Sequence, residues 1–430
     1  MPHEEVPLEP YRKFSTDELM ELTAMFGISA GGLARIRDVL ESEPVPPEAT
    51  LFRYYNEDSR VERFEQEFRE YVGVRYALGV NSCTSALIAA LVAAGVGPGS
   101  EVIVPAYTFF ASVSAVVVAK GIPVITEIDE SLTLDPDAVE AAITERTRAI
   151  IAVHMMGHPA RMDVLRRLAD DKGLILIEDA AQAIGGLYRN QLLGSWGDLG
   201  CFSFDAYKSL ATGEGGMITT NDEWLYTRAQ SYHDTAACWR PNRYARERRP
   251  GELFCGENYR MPEMAGAIGL AQLRKIGGIV ENQRFRYHQI RRETTLPTCA
   301  DWVDPTDPEG VCGYKLALLF DTVENAKKAA LADIGIGGMI NGGIRGARDW
   351  HLYTFWEHIL EQKTPTDAGC PFKCPLAGQL PPYDPDMCPR TKDIMYRVLF
   401  LDIPQTATAE WASWRADRLT RDLQSVFAEQ

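Results

Sequence analysis

The chain has 430 residues, 46% of them hydrophobic, and a formal net charge of −16 at pH 7. That length buries a large core and divides into about two or three domains, while the acidic balance leaves no basic stripe to neutralise a phosphate backbone and so excludes nucleic acid as a partner. No stretch of about 18 apolar residues is present, and the opening MPHEEVPLEPYRKF lacks a basic segment followed by an apolar one, so a cytoplasmic protein away from membranes is expected.

The first 50 residues, rich in proline and glutamate, read as a peripheral arm or short helices. Regular patterning begins at Ser59, where SRVERFEQEFREYVG opens with a Ser59/Glu62 capping box and sets Val61, Phe64, Phe68 and Tyr71 on one helical face until Gly73 ends it. From about 77 to 220, apolar runs such as YALGV, EVIVP, PVITEID, AIIAVH, LILIED and GCFSF alternate with helical segments such as SALIAALVAAGV and MDVLRRLADDKG. This alternation predicts an α/β fold with a mostly parallel sheet covered on both faces. After residue 262 a long helical pattern follows, bent or broken at Gly277–Gly278, and leads to a smaller region of mixed strands and helices. The expected division is an arm over 1–50, a large domain over 51–290 and a small one over 291–430. The nine cysteines are scattered, as reduced thiols are; Cys370 and Cys374 are spaced C-x3-C with Cys388 beyond, no histidine follows at a ligand spacing, and no metal site is expected.

In parallel sheets the ligand sits at the carboxyl ends of the strands. That rule selects Asn81 to Ser85, Tyr107 to Phe109, His154, Glu178 to Gln182 and Ser203 to Lys208. The small and hydroxyl residues of NSCTSAL open a helix, and free N–H groups there with Ser/Thr hydroxyls suit a phosphate, although Ser82 or Thr84 also serves as an ordinary helix cap. Asp179, ending an apolar strand, needs a cationic or hydrogen-bonding partner such as a protonated pyridine nitrogen; capping of the next helix by Glu178 and Asp179 is the alternative. Lys208 follows the apolar CFSF, where loss of water favours the uncharged, nucleophilic amine that attacks carbonyls. A phosphate site, an acid for a pyridinium and a carbonyl-trapping lysine together describe pyridoxal 5′-phosphate.

VNSCTSAL, EVIVPAYTFFAS, VHMMGHPARMD, LIEDAAQAIGG, GCFSFDAYKSLATGEGGMITTND and GENYRMPEMAGAIGLAQL resemble the DegT/DnrJ/EryC1/StrS family of sugar aminotransferases, enzymes of the fold type I class. The resemblance covers roughly residues 50 to 290 and continues more weakly to the end. It implies a large domain with a mostly parallel, seven-stranded type of sheet and a smaller C-terminal α+β domain. It further implies that Lys208 holds pyridoxal phosphate covalently and shuttles a proton, that Asp179 keeps the ring nitrogen protonated, that Phe109 stacks on the ring and that Gln182 sits near the ring hydroxyl. Cys83, Thr84 and Ser203 would bind the phosphate, and Asn258 would reach the phosphate of a neighbouring subunit, making a homodimer with shared sites. Cys83 stands where the family usually has glycine, a swap read as tolerated because the motif needs N–H donors more than a left-handed residue.

The segment 233–254 is rich in arginine in an otherwise acidic chain. Arg240, Arg243 and Arg246 would face the substrate and suit an acidic group, unless the loop is simply a solvated surface. RDWHLYTFWEHI and CPRTKDIMYR look most like aminotransferases of 8-amino-3,8-dideoxy-manno-octulosonate precursors, which act on acidic keto sugars. The expected reaction moves an amino group from glutamate or glutamine to a keto sugar or related polyol ketone. The same lysine-bound cofactor also supports elimination, decarboxylation or carbon–carbon bond formation, and these stay open as alternatives; the family's dehydratase branch, with histidine in place of the lysine, does not fit Lys208.

Overall fold

The computed structural model describes residues 15–43, 58–236, 247–335 and 349–427, in two units, Met1–Ser59 and Arg60–Gln430. Within the first unit, helix α1 (Thr16–Ala24) begins with a Ser15/Glu18 capping box and helix α2 (Ala30–Ser42) with Ser29 as its cap; Gly27, at φ +70°, makes the turn between them, and an Arg37–Asp17 pair at 2.9 Å ties the two helices.

The second unit is built on a seven-stranded sheet. In chain order its strands are β1 (Tyr76–Val80), β2 (Glu101–Pro105), β3 (Ile122–Thr126), β4 (Thr147–Val153) and β5 (Ile175–Asp179). The small hairpin β6 (Leu187–Tyr188) and β7 (Gln191–Leu192) intervenes before β8 (Leu199–Ser203) and β9 (Gly216–Thr220). The order across the sheet is β1-β9-β8-β5-β4-β2-β3, with β9 antiparallel to both of its neighbours and every other pairing parallel. The strands are buried on both faces, which is why they read as continuous apolar runs.

On one face lie α3 (Arg60–Val72) and the long α9 (Glu263–Glu293); on the other lie α4 (Cys83–Ala93), α5 (Ala111–Val118) and α8 (Glu223–His233). The stripe Val61, Phe64, Phe68 and Val72 buries α3, and Phe68 meets Phe202 edge-on at 5.0 Å while Phe64 lies 5.2 Å from Phe204. Helix α4 is apolar all round because it is enclosed between the sheet and its neighbours. Helix α9 runs unbroken through Gly277–Gly278, against the break expected from sequence: two glycines cost about 1 kcal/mol each in a helix, and the buried Leu273, Ile276, Val280, Tyr287 and Ile290 on either side outweigh them.

Helices α6 (Pro136–Ala142) and α7 (Met162–Lys172) complete the crossovers of the parallel strands. The C-terminal part is a three-stranded antiparallel sheet, β10 (Ala300–Trp302), β11 (Lys315–Phe320) and β12 (Val398–Asp402) in that order. It packs with α10 (Val323–Leu331), α12 (Pro389–Arg397) and α13 (Ala409–Phe427), after a short α11 (Glu357–Leu360). No described helix is long and apolar enough to cross a membrane.

Candidate active site

Side-chain alternation along a strand decides what each strand end offers. In β5, Leu176 and Ala180 pack into the core on the α3/α9 side and Ile177 into the core on the α4/α5 side. Glu178 and Asp179 therefore part company. Glu178 is fully buried and accepts from the backbone N–H groups of Gly194, Trp196 and Gly197 and from His154 Nε2 at 2.7–3.0 Å. Because His154 Nδ1 takes the N–H of Ala160, its proton sits on Nε2 and is donated to Glu178. Neither acid caps a helix; Glu178 bolts the hairpin loop to the sheet.

Asp179 turns toward α5, 5% exposed, and accepts from Ser112 Oγ at 2.7 Å and from the Ala181 N–H at 3.1 Å. Burial pushes its carboxyl above the ordinary value, and the Ser112 hydroxyl, the Ala181 N–H and the charge of Lys208 offset this only in part. A buried acid in this condition has room for one more cationic donor.

The same alternation in β8 puts Phe202 and Phe204 on the α3 face and Cys201 and Ser203 on the α4 face. Ser203 thus faces the side on which α4 begins. Ser82 is the cap of α4, its hydroxyl taking the Ser85 N–H at 3.1 Å, as the plainer sequence reading had it. The Thr84 side chain stays exposed. Gly216 permits the close approach of β9 to this helix start: a Cβ there would lie 2.6 Å from the Ser82 carbonyl and 2.8 Å from the Cys83 nitrogen. Cys83 does not have a positive φ, so the helix start does not demand glycine. Burial, with smaller contributions from Asp179 and Cys201, pushes its thiol well above the ordinary value, which makes it a neutral filler rather than a nucleophile.

Lys208 lies 22% exposed in the turn after β8, with Asp205 3.8 Å away. Its charge acts on both Asp179 and Cys83, so the helix start, the acid and the lysine converge. Lys208 lines a cleft of about 620 Å³ shared with Tyr107, Met156, Gln182, Tyr314 and residues of the C-terminal sheet. Gln182 is oriented there: its Oε1 accepts from the Met156 N–H at 2.9 Å and from Tyr314 OH at 3.0 Å, which leaves its NH₂ to donate to a ligand. Met156, at φ +56°, is held in the left-handed region to present that N–H, a strain of the kind found at functional sites.

Phe109 is 43% exposed beside this cleft, its ring 5.4 Å from His351. Asn258 is exposed in the segment before α9, bridged through its backbone to Asp234. Arg240, Arg243 and Arg246 lie outside the described residues. Arg248, from the same arginine-rich segment, is drawn onto α8, 3.0 Å from Glu223.

Sequence reading missed the facing wall. Lys315 and Asp402 are register partners of β11 and β12, Nζ to Oδ1 3.1 Å, and Asp349 and His351 form a second pair at 2.8 Å. A charged residue at one end of an apolar run, Lys in KLALLF and Asp in VLFLD, was the signal available for the first pair. The residues present fit pyridoxal phosphate: a buried acid short of a cation, an amide N–H₂ aimed by its own oxygen, a helix start approached through glycine, and a lysine among them.

A model of the DegT/DnrJ/EryC1/StrS aminotransferase family matches residues 52–336. Among curated proteins, the GDP-perosamine synthase of Caulobacter vibrioides is 42% identical over 219 residues, covering 50% of this chain and 56% of that one. The L-glutamine:2-deoxy-scyllo-inosose aminotransferase of Streptoalloteichus tenebrarius is 40% identical over 228 residues, covering 52% and 54%. The chain thus spans little more than half the length of these relatives. The solved structure of S. venezuelae DesV is similar over 96% of this chain and 97% of its own, with a TM-score of 0.67 and 29% identity.

Proposed function

Because the chain belongs to the DegT/DnrJ/EryC1/StrS aminotransferase family, we propose that it is a pyridoxal-phosphate-dependent aminotransferase that transfers an amino group from glutamate or glutamine to a keto sugar or related polyol ketone in amino-sugar or natural-product biosynthesis. The observation that carries this reading is Lys208 in the cleft beside Gln182, with its charge reaching both the buried Asp179 and Cys83 at the start of α4. The relatives named above, one acting with glutamine and one forming an amino sugar, support the choice of substrates.

The cofactor, when bound, supplies an electron sink and a carrier for the amino group. The N–H groups at the start of α4, the Thr84 hydroxyl and Ser203 would hold its phosphate, with the backbone at Cys83 contributing. Asp179, kept in place by Ser112, would hold the proton on the ring nitrogen. Gln182 would donate to the ring oxygen, and Phe109 would cover one face of the ring. Lys208 Nζ would anchor the cofactor and, when free, would serve as the base that moves a proton at the reacting carbon.

Asn258 and Tyr207, the latter 97% exposed beside Lys208, suit a homodimer in which Asn258 completes the phosphate site of the neighbouring subunit. Arg240, Arg243 and Arg246 would meet the acidic group of an acidic acceptor. The test is to mix the purified yellow protein with glutamate or glutamine: the absorbance of the lysine-bound form is expected to give way to that of the aminated cofactor. A spectrum unmoved by either donor overturns the reading.

A further inference from the structure

Donor and acceptor of a transamination occupy one cleft in turn, and an amino-acid donor always brings a carboxylate on its reacting carbon. The cleft must therefore offer a cation that is satisfied without the donor and free to turn to it. Two lysines, Lys208 and Lys315, and no arginine line the cleft among the described residues. Lys208 is committed to the cofactor in the reading above, on which the present inference rests.

Lys315 opens β11 and faces its register partner Asp402, Nζ 3.1 Å from Oδ1, with Asp402 72% exposed. A pair so exposed is worth little, so exchanging one carboxylate for another costs little. The ammonium lies 5.9 Å from the centre of the Phe400 ring, which stacks on Tyr107 at 6.3 Å and 3°. Tyr107 follows the carboxyl end of β2, so this aromatic floor leads from Lys315 toward the strand ends. Lys315 is also felt at Asp349: burial pushes that carboxyl up, but the His351 ring and N–H, with Lys315, hold it below its ordinary value. Asp349 is already engaged by His351 at 2.8 Å, and Asp402 is the partner that can be released.

We propose that Lys315 binds the α-carboxylate of the amino donor, leaving Asp402 as the donor enters and returning to it when the keto acceptor takes its place. The α-carboxylate is the assigned group because glutamate and glutamine share it, whereas glutamine has no side-chain carboxylate. Asp402 is then the counter-ion that keeps the cleft wall neutral between half-reactions.

The test uses the cofactor-loaded protein in rapid mixing with glutamate and with glutamine. Lys315→Met should raise the half-saturating concentration of both donors about tenfold to a hundredfold, with the limiting rate and the spectrum before mixing nearly unchanged. Lys315→Arg should restore most of the affinity, and Asp402→Asn should lower the half-saturating concentration severalfold. A Lys315→Met protein with wild-type half-saturation, or one altered only in limiting rate, overturns the inference and passes the carboxylate to Arg240, Arg243 or Arg246. Equilibrium dialysis with radiolabelled 2-oxoglutarate separates the two readings: binding that depends on Lys315 in a protein inert to both donors sinks the aminotransferase reaction and keeps the Lys315 assignment. Absence of 2-oxoglutarate binding by the wild type, or equal binding by Lys315→Met, overturns the assignment itself.

Discussion

On the side of the seven-stranded sheet Asp179, at the end of β5, is 5% exposed and held by two hydrogen bonds, while on the cleft wall Asp402 is 72% exposed and held by one lysine. Gln182 is likewise fixed by two donors, from Met156 and Tyr314. The sheet side is built to hold one unchanging group in one geometry, which calls for interior hydrogen bonds that no solvent competes with. In the proposed reaction the wall would meet two different substrates in alternation, and the exposed Lys315–Asp402 pair would let it rearrange at little cost. Rigidity and adaptability are thus divided between the seven-stranded and the three-stranded sheets of the second unit.

The sharpest way to break this comparison is at the neighbouring acids of β5. Asp179→Asn should lower turnover by about 10²- to 10⁴-fold yet leave the cofactor-free protein at least as stable at pH 7. The sign follows from the raised carboxyl: its contribution to stability is fully present below the ordinary value of 3.8 and is lost as pH rises through the higher folded value, so at pH 7 the charged form is already a burden. Glu178→Ala should do the reverse, costing about 3–5 kcal/mol of stability by orphaning three backbone N–H groups and the buried His154 ring. Thermal melts of the cofactor-free variants beside their turnover rates check both.

Acid should also attack the sheet side before the wall. His158 follows β4, is fully buried against Tyr287 of α9, and burial lowers its pKa to about 4. A histidine held neutral contributes stability that is fully present above its ordinary 6.5 and lost as pH falls through about 4. Between those limits the wild type should lose up to roughly 3 kcal/mol more than His158→Gln, read from denaturant melts across that range. The smallest effect is expected of Tyr314→Phe, which removes one of two donors on Gln182 Oε1 and should weaken cofactor binding less than about tenfold, measured by fluorescence titration.

The division also explains what could be read in advance. Apolar runs buried on both faces betray a parallel sheet, and the strand-end rule leads from them to Asp179, Ser203 and Lys208 without tertiary knowledge. Ser112, which orients Asp179, was hidden inside the apolar ASVSAVVV, where a serine reads as helix filler. Lys315, Asp349 and His351 come from elements far along the chain, and only packing brings them in, through contacts such as the Thr108 N–H donating to the His351 carbonyl at 2.8 Å. The continuity of α9 across Gly277–Gly278 was hidden for the same reason, since local propensity argued for a break and tertiary burial decided otherwise.

The central claim is that Lys208, whose charge reaches both the start of α4 and Asp179, anchors the cofactor. Borohydride reduction of the loaded protein makes the lysine–cofactor linkage permanent, and peptide mass spectrometry then locates it. The account predicts the added mass on Lys208, with Lys208→Ala protein left colourless and unlabelled. Labelling at Lys315 or any other lysine, or a yellow Lys208→Ala protein, would contradict it.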